Sequence, residues 1–157
     1  MQVLEQLKSM SPERFLAIYQ SLEVNGFGPL DNDVAKSLKF RPVAVKKLPM
    51  SQRAKRARML LEGSRNAEMT YEIFGAYLLK HHKALVTGFL DKTGVVHEDG
   101  MIQDIETGVP KADKIADAIQ ELDREFPPED VTLYLSMCSQ QWAQVPEFER
   151  VWKKRAN

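Results

Sequence analysis

Apolar residues along this chain recur mainly at intervals of three and four, the spacing that places side chains on one face of a helix. Ser11-Pro12-Glu13 supplies a cap residue followed by proline at a first helical position. Phe15, Ile18, Tyr19 and Leu22 then form a stripe that should stop at Asn25-Gly26. Leu30, Val34 and Leu38 predict a second helix over about 31–40, ended by Arg41-Pro42. Residues 43–50 read as irregular or briefly extended. Ser51 then caps a helix whose apolar face is Met50, Ala54, Ala57 and Leu61.

From Asn66 to Lys92 a long helical pattern carries Tyr71, Phe74, Leu78, Leu85 and Phe89; it fits one continuous helix as well as a break near His81-His82-Lys83, and the expectation is the break, into two packed helices. Gly94 caps the second of them. Asp99-Gly100 between two short β-prone runs predicts a tight hairpin near 95–104. Ile115, Ile119, Leu122 and Phe126 mark a helix from Lys111 to Phe126, and Pro127-Pro128 ends it. A helix over 129–141 and a last one from Pro146 complete the pattern, although Val131-Thr132-Leu133-Tyr134-Leu135 alone would pass for a strand. The expected fold is mostly α. About six to eight helices form a single domain over 1–157, as a multi-helix bundle or a short helical-hairpin array, with at most one small β-hairpin.

Val86-Thr87-Gly88-Phe89-Leu90 resembles Val131-Thr132-Leu133-Tyr134-Leu135 at an offset of 45, and Phe74 with Ile119 and Tyr77 with Leu122 keep that offset. An offset of this size suits a helical-hairpin repeat, but amphipathic helices also echo one another by chance.

Composition adds an electrostatic asymmetry. The chain is formally neutral, yet Lys36 to Arg65 carries ten cations against Glu62 alone, a net +9, and Glu98 to Asp130 carries eleven acids against three cations, a net −8. Such blocks shape docking without specifying a reaction. A single cysteine, Cys138, allows no internal disulfide and favours a cytoplasmic setting. Glu5 interrupts the apolar stretch a signal peptide would need, and no run approaches membrane-spanning length, so no membrane partner is expected.

The chemistry-bearing residues do not assemble into a familiar motif. His81 and His82 are adjacent, so on a helix they point about 100° apart and cannot grip one ion. His97 with Glu98 and Asp99 is the remaining candidate for a metal or acid–base site. Asp31-Asn32-Asp33 opens like a calcium loop but has Lys36 where the turn glycine belongs. No catalytic residue, metal ligand or cofactor is assigned. The leading expectation is a non-enzymatic protein-interaction module, its partner a protein or a second copy. Candidate contact residues are Arg53, Lys55, Arg56 and Arg58 in the basic block and the large side chains Trp142, Phe148 and Trp152. The alternative is nucleic-acid binding by the 46–65 surface, where phosphates would meet cations but only Phe40 lies close by for stacking.

Overall fold

The computed structural model describes residues 2–23 and 28–156. The protein is mostly α-helical, with ten α-helices and one two-stranded antiparallel hairpin among the described residues. The chain divides into two helical units, residues 3–77 and 78–157.

In the first unit, α1 (Gln2–Ser9) buries Val3, Leu4 and Leu7, a short stripe at helical spacing that the sequence reading passed over. α2 (Pro12–Glu23) starts as expected. The Ser11 hydroxyl accepts the Arg14 amide at 3.1 Å, satisfying one of the free N–H groups of the first turn. Phe15, Ile18, Tyr19 and Leu22 are buried, while the expected stop at Asn25-Gly26 lies outside the described residues.

α3 (Gly28–Leu38) ends in a left-handed residue, Lys39 at φ 55°, and the Phe40 amide returns to the Ala35 carbonyl at 2.8 Å. The stretch expected to be irregular contains α4 (Pro42–Lys46), opened by proline and holding one buried side chain, Val45. Five residues are too few to show a periodic signal. α5 (Met50–Leu61) begins one residue before the expected cap: Pro49 takes that position, and no side chain caps the helix. α5 packs on α2 and α3, and α4 on α3. A single 3-10 turn (Ser64–Asn66) follows, and its Asn66 amide group donates to the Leu60 carbonyl at 2.7 Å.

α6 (Ala67–His81) and α7 (Lys83–Thr93) are separated where the sequence pointed, at His82, which lies outside helical geometry at φ −135° and ψ 41°. In the second unit His82 Nε2 stands 3.1 Å from the buried Asp130 carboxylate. α7 ends on Gly94 at φ 77°. β1 (His97–Glu98) and β2 (Met101–Ile102) pair His97 with Ile102 and Glu98 with Met101 around Asp99 (φ 52°) and Gly100 (φ 88°). Two consecutive positive φ values define the tight turn that an Asp-Gly pair favours. A Cβ on Gly100 would also come within 2.7 Å of Leu79 Cδ2. Gly100→Ala is therefore expected to destabilise the protein by about 1–2 kcal/mol, read as a lower urea midpoint at unchanged slope.

α8 (Ala112–Glu125) packs on α7 and on α9 (Pro128–Gln141), which in turn packs on α10 (Pro146–Ala156). Every residue from Asp130 to Ser139 is buried. A helix covered on all sides needs apolar residues all round, which is why Val131 to Leu135 resembles a strand in sequence. Asp130, Thr132 and Ser136 have partners inside this cover. The Thr132 and Ser136 hydroxyls donate to the Pro128 and Leu133 carbonyls at 2.7 and 2.6 Å. Arg155 donates through Nε to the Thr132 hydroxyl and through both terminal nitrogens to Asp123.

The 45-residue echo extends to element boundaries. α6 and α8 begin at Ala67 and Ala112, and α7 and α9 at Lys83 and Pro128. Phe74 with Ile119, Tyr77 with Leu122, and Phe89 with Tyr134 are buried at both members of each pair.

Candidate functional site

No acidic residue occurs between Asp33 and Glu62, so the surface built by α3, α4 and α5 is positive wherever its cations point outward. Two of them point inward. Arg53 is buried on α5, with its guanidinium carbon 6.0 Å from the Tyr19 ring centre and Nη2 3.7 Å from Asp31 Oδ1. The Tyr19 hydroxyl donates to the same carboxylate oxygen at 3.2 Å. Arg58 ties α5 to the end of α1: Nη2 donates to the carbonyls of Leu7 and Met10 at 2.8 and 2.7 Å, and Nε to Glu62 at 3.0 Å. Met10 lies just beyond α1 and the Leu7 carbonyl also accepts the Met10 amide at 3.3 Å, so this guanidinium fastens the end of α1 and the link that follows it.

The other cations stay in solvent. Lys36, Lys39, Arg41, Lys46, Lys47, Lys55, Arg56 and Arg65 are exposed, and none forms an ion pair with an acid among the described residues. Phe40, Val43 and Met59 are exposed on the same elements. A groove of about 500 Å³ runs between α2 and α5, with Phe15, Leu16 and Ala54 as its floor and Glu13, Lys55 and Glu62 at its rim.

The candidate contact residues therefore occupy three environments. Lys55 and Arg56 face solvent, Arg58 is half-buried with its guanidinium engaged, and Arg53 is in the core. Trp142, Phe148 and Trp152 are all buried in the second unit. Trp142 stacks on Phe148 with ring centres 5.7 Å apart, and its indole N–H donates to the Gly108 carbonyl at 2.9 Å.

His97, Glu98 and Asp99 do not converge. The Nδ1 of His97 accepts the Gly100 amide at 3.0 Å, so the ring proton is on Nε2, which faces Asp91 Oδ1 at 2.6 Å. Nδ1 is thus engaged within the hairpin turn, and Nε2 pins the hairpin to α7. Glu98 accepts from Gln103 and Asp99 pairs with Lys83. His82 is held by Asp130 elsewhere in the unit. Among the described residues no three histidine, cysteine, aspartate or glutamate side chains are placed to hold a metal ion.

Cys138 is sealed in α9, and burial drives its thiol far above the ordinary range. Since the thiolate is the reactive form, an aromatic disulfide reagent at neutral pH is expected to label Cys138 no faster than the second unit unfolds, and to label it promptly in denaturant.

Comparison with known proteins adds no relative. No protein family, no curated protein and no solved structure matches this chain. Among the described residues no helix is long and apolar enough to cross a membrane.

Spacing on α5 could not separate Arg53 from Lys55 and Arg56, because position 53 borders the apolar stripe and only the fold brings Asp31 and Tyr19 to it. Val43 and Met59, exposed beside the cations, were also missed, and Phe40 was read only as a residue for stacking. Their signal was present: Phe40 and Val43 fall outside every helical stripe while flanking Arg41-Pro42.

Proposed function

We propose that this chain is a non-catalytic helical interaction module that binds an acidic protein surface through the basic face of its first unit. The supporting observation is the set of eight exposed cations on α3, α4, α5, the 3-10 turn and the links between the helices, with no ion-pair partner among the described residues. Surface ion pairs contribute little to folding, so such a field acts mainly on encounter and partner choice. The exposed Phe40, Val43 and Met59 favour a protein over nucleic acid. Aliphatic side chains find apolar partners on a protein, whereas phosphates offer them none.

Fluorescence anisotropy with two probes of matched charge tests this reading: a glutamate-rich peptide interspersed with leucine, and duplex DNA. The peptide is expected to bind, to weaken as salt rises, and to weaken by about tenfold or more in a Lys47→Glu, Arg56→Glu variant. Preference for the duplex would replace the protein-binding reading with the nucleic-acid one, and binding of neither probe would remove both.

A further inference from the structure

Apart from Met59 on α5, the exposed large apolar side chains of the described residues fall into two groups that differ in charge surroundings. At the corner between α3 and α4, Phe40 and Val43 are 46% and 66% exposed, and Lys39, Arg41, Lys46 and Lys47 surround them in sequence. Around the hairpin of the second unit, Val96 and Ile105 are 77% and 62% exposed and Met101 is exposed beside them. From Glu98 to Glu106 that segment has four acids and no lysine or arginine of its own, although Asp99 contacts Lys83.

Both protrusions are fixed by local hydrogen bonds. The left-handed Lys39, unfavourable for a residue with a Cβ, turns the chain after α3 while the Phe40 amide is anchored to Ala35. The acidic side is built the same way. Asp104 accepts the amides of Glu106 and Thr107 at 3.0 and 3.3 Å and the Thr107 hydroxyl at 2.6 Å, which holds the turn carrying Ile105. These hydrogen bonds also keep the Asp104 carboxyl below its ordinary range, and it therefore stays charged. An apolar protrusion that is already ordered loses little further entropy on association.

We propose that these two surfaces are the halves of one interface between copies of this chain, the α3–α4 corner of one copy seated on the hairpin and the 103–107 turn of another. This rests on the reading of the basic face as protein-binding and names a second copy as its partner. Opposite charge supplies attraction and register, and the matched apolar groups supply desolvation. Because corner and hairpin are different surfaces, the contact either repeats along a row of copies or closes as a twofold pair in which each corner meets the other's hairpin. The patches are small, so the association is weak and salt-sensitive.

Light scattering on the full chain tests this at protein concentrations up to about 1 mM, in about 50 mM and about 500 mM salt. The expected mass rises above the monomer at low salt and returns to it at high salt. Two charge-reversed variants locate the contact: Arg41→Glu with Lys46→Glu on the corner, and Glu98→Lys with Glu106→Lys on the hairpin side, Asp104 being left to hold its turn. Each variant alone is expected to associate at least about tenfold more weakly, and an equimolar mixture to recover association to within about threefold of the original chain. Recovery on mixing cannot come from misfolding, and Val43→Ser, which leaves every charge in place, is expected to weaken association as well. A monomer at every concentration, association that survives both reversals, or a mixture no better than either variant would overturn the proposal. Should self-association fail while the acidic peptide still binds, only this inference falls. Loss of both results would remove the broader reading too.

Discussion

Replacing Arg53 with alanine is expected to cost about 3–5 kcal/mol of folding free energy, more than any other change of a charged residue on α5. Arg53 is buried with Asp31, and the Tyr19 hydroxyl already serves the same carboxylate oxygen. Truncation leaves that carboxylate in a low-dielectric site with its cation gone, and it also opens space beside the Tyr19 ring. The companion variant Arg53→Met with Asp31→Asn is expected to recover most of the loss, because asparagine still accepts from Tyr19 and no charge is left uncompensated. Urea unfolding followed by circular dichroism measures both. Both tryptophans lie in the second unit, so their fluorescence reports that unit alone. An Arg53→Ala protein that unfolds at the parental midpoint by circular dichroism would show that the buried pair contributes nothing.

Phe148→Ala is the largest expected loss in the second unit, at about 3–5 kcal/mol. Phe148 is fully buried, with its ring centre 5.9 Å from that of Phe89 and 5.7 Å from that of Trp142, and Phe89 in turn meets Tyr134 edge-on at 5.3 Å. Removing the ring takes away the middle member of a chain of aromatic contacts linking α7, α9 and α10, and neighbours fixed in helices cannot collapse fully into the gap. Phe148→Leu keeps most of the volume and is expected to cost about 1–1.5 kcal/mol. Tryptophan fluorescence in urea reads both variants directly, because Trp142 touches the altered side chain. An alanine variant as stable as the leucine variant would mean that filling this site contributes nothing to the second unit.

The helices that were legible in the sequence are those with both a stripe and punctuation, such as α2 behind Ser11-Pro12 and α8 before Pro127-Pro128. The hairpin was legible for a different reason, since consecutive positive φ values are tolerated by few residue pairs other than Asp-Gly. α4 escaped notice because one buried valine makes no period. Charge was the harder matter. The basic block was visible by counting, but whether a given arginine reaches solvent depends on partners tens of residues away: Asp31 for Arg53, and the carbonyls of Leu7 and Met10 for Arg58. Trp142 and Trp152 near a chain end could dock or protrude, and only the packing of α10 on α9 decides for docking.

The enclosure of α9 from Asp130 to Ser139 has a consequence for hydrogen exchange. Its amides from Asp130 to Ser139 have no side of the helix from which water can reach them while α8 and α10 stay in place. Local fraying can release protons from α4 or from the two-residue strands, but α9 can exchange only through openings that dismantle the second unit. Its exchange rates therefore gauge the global stability of that unit under fully native conditions, with no denaturant and no extrapolation.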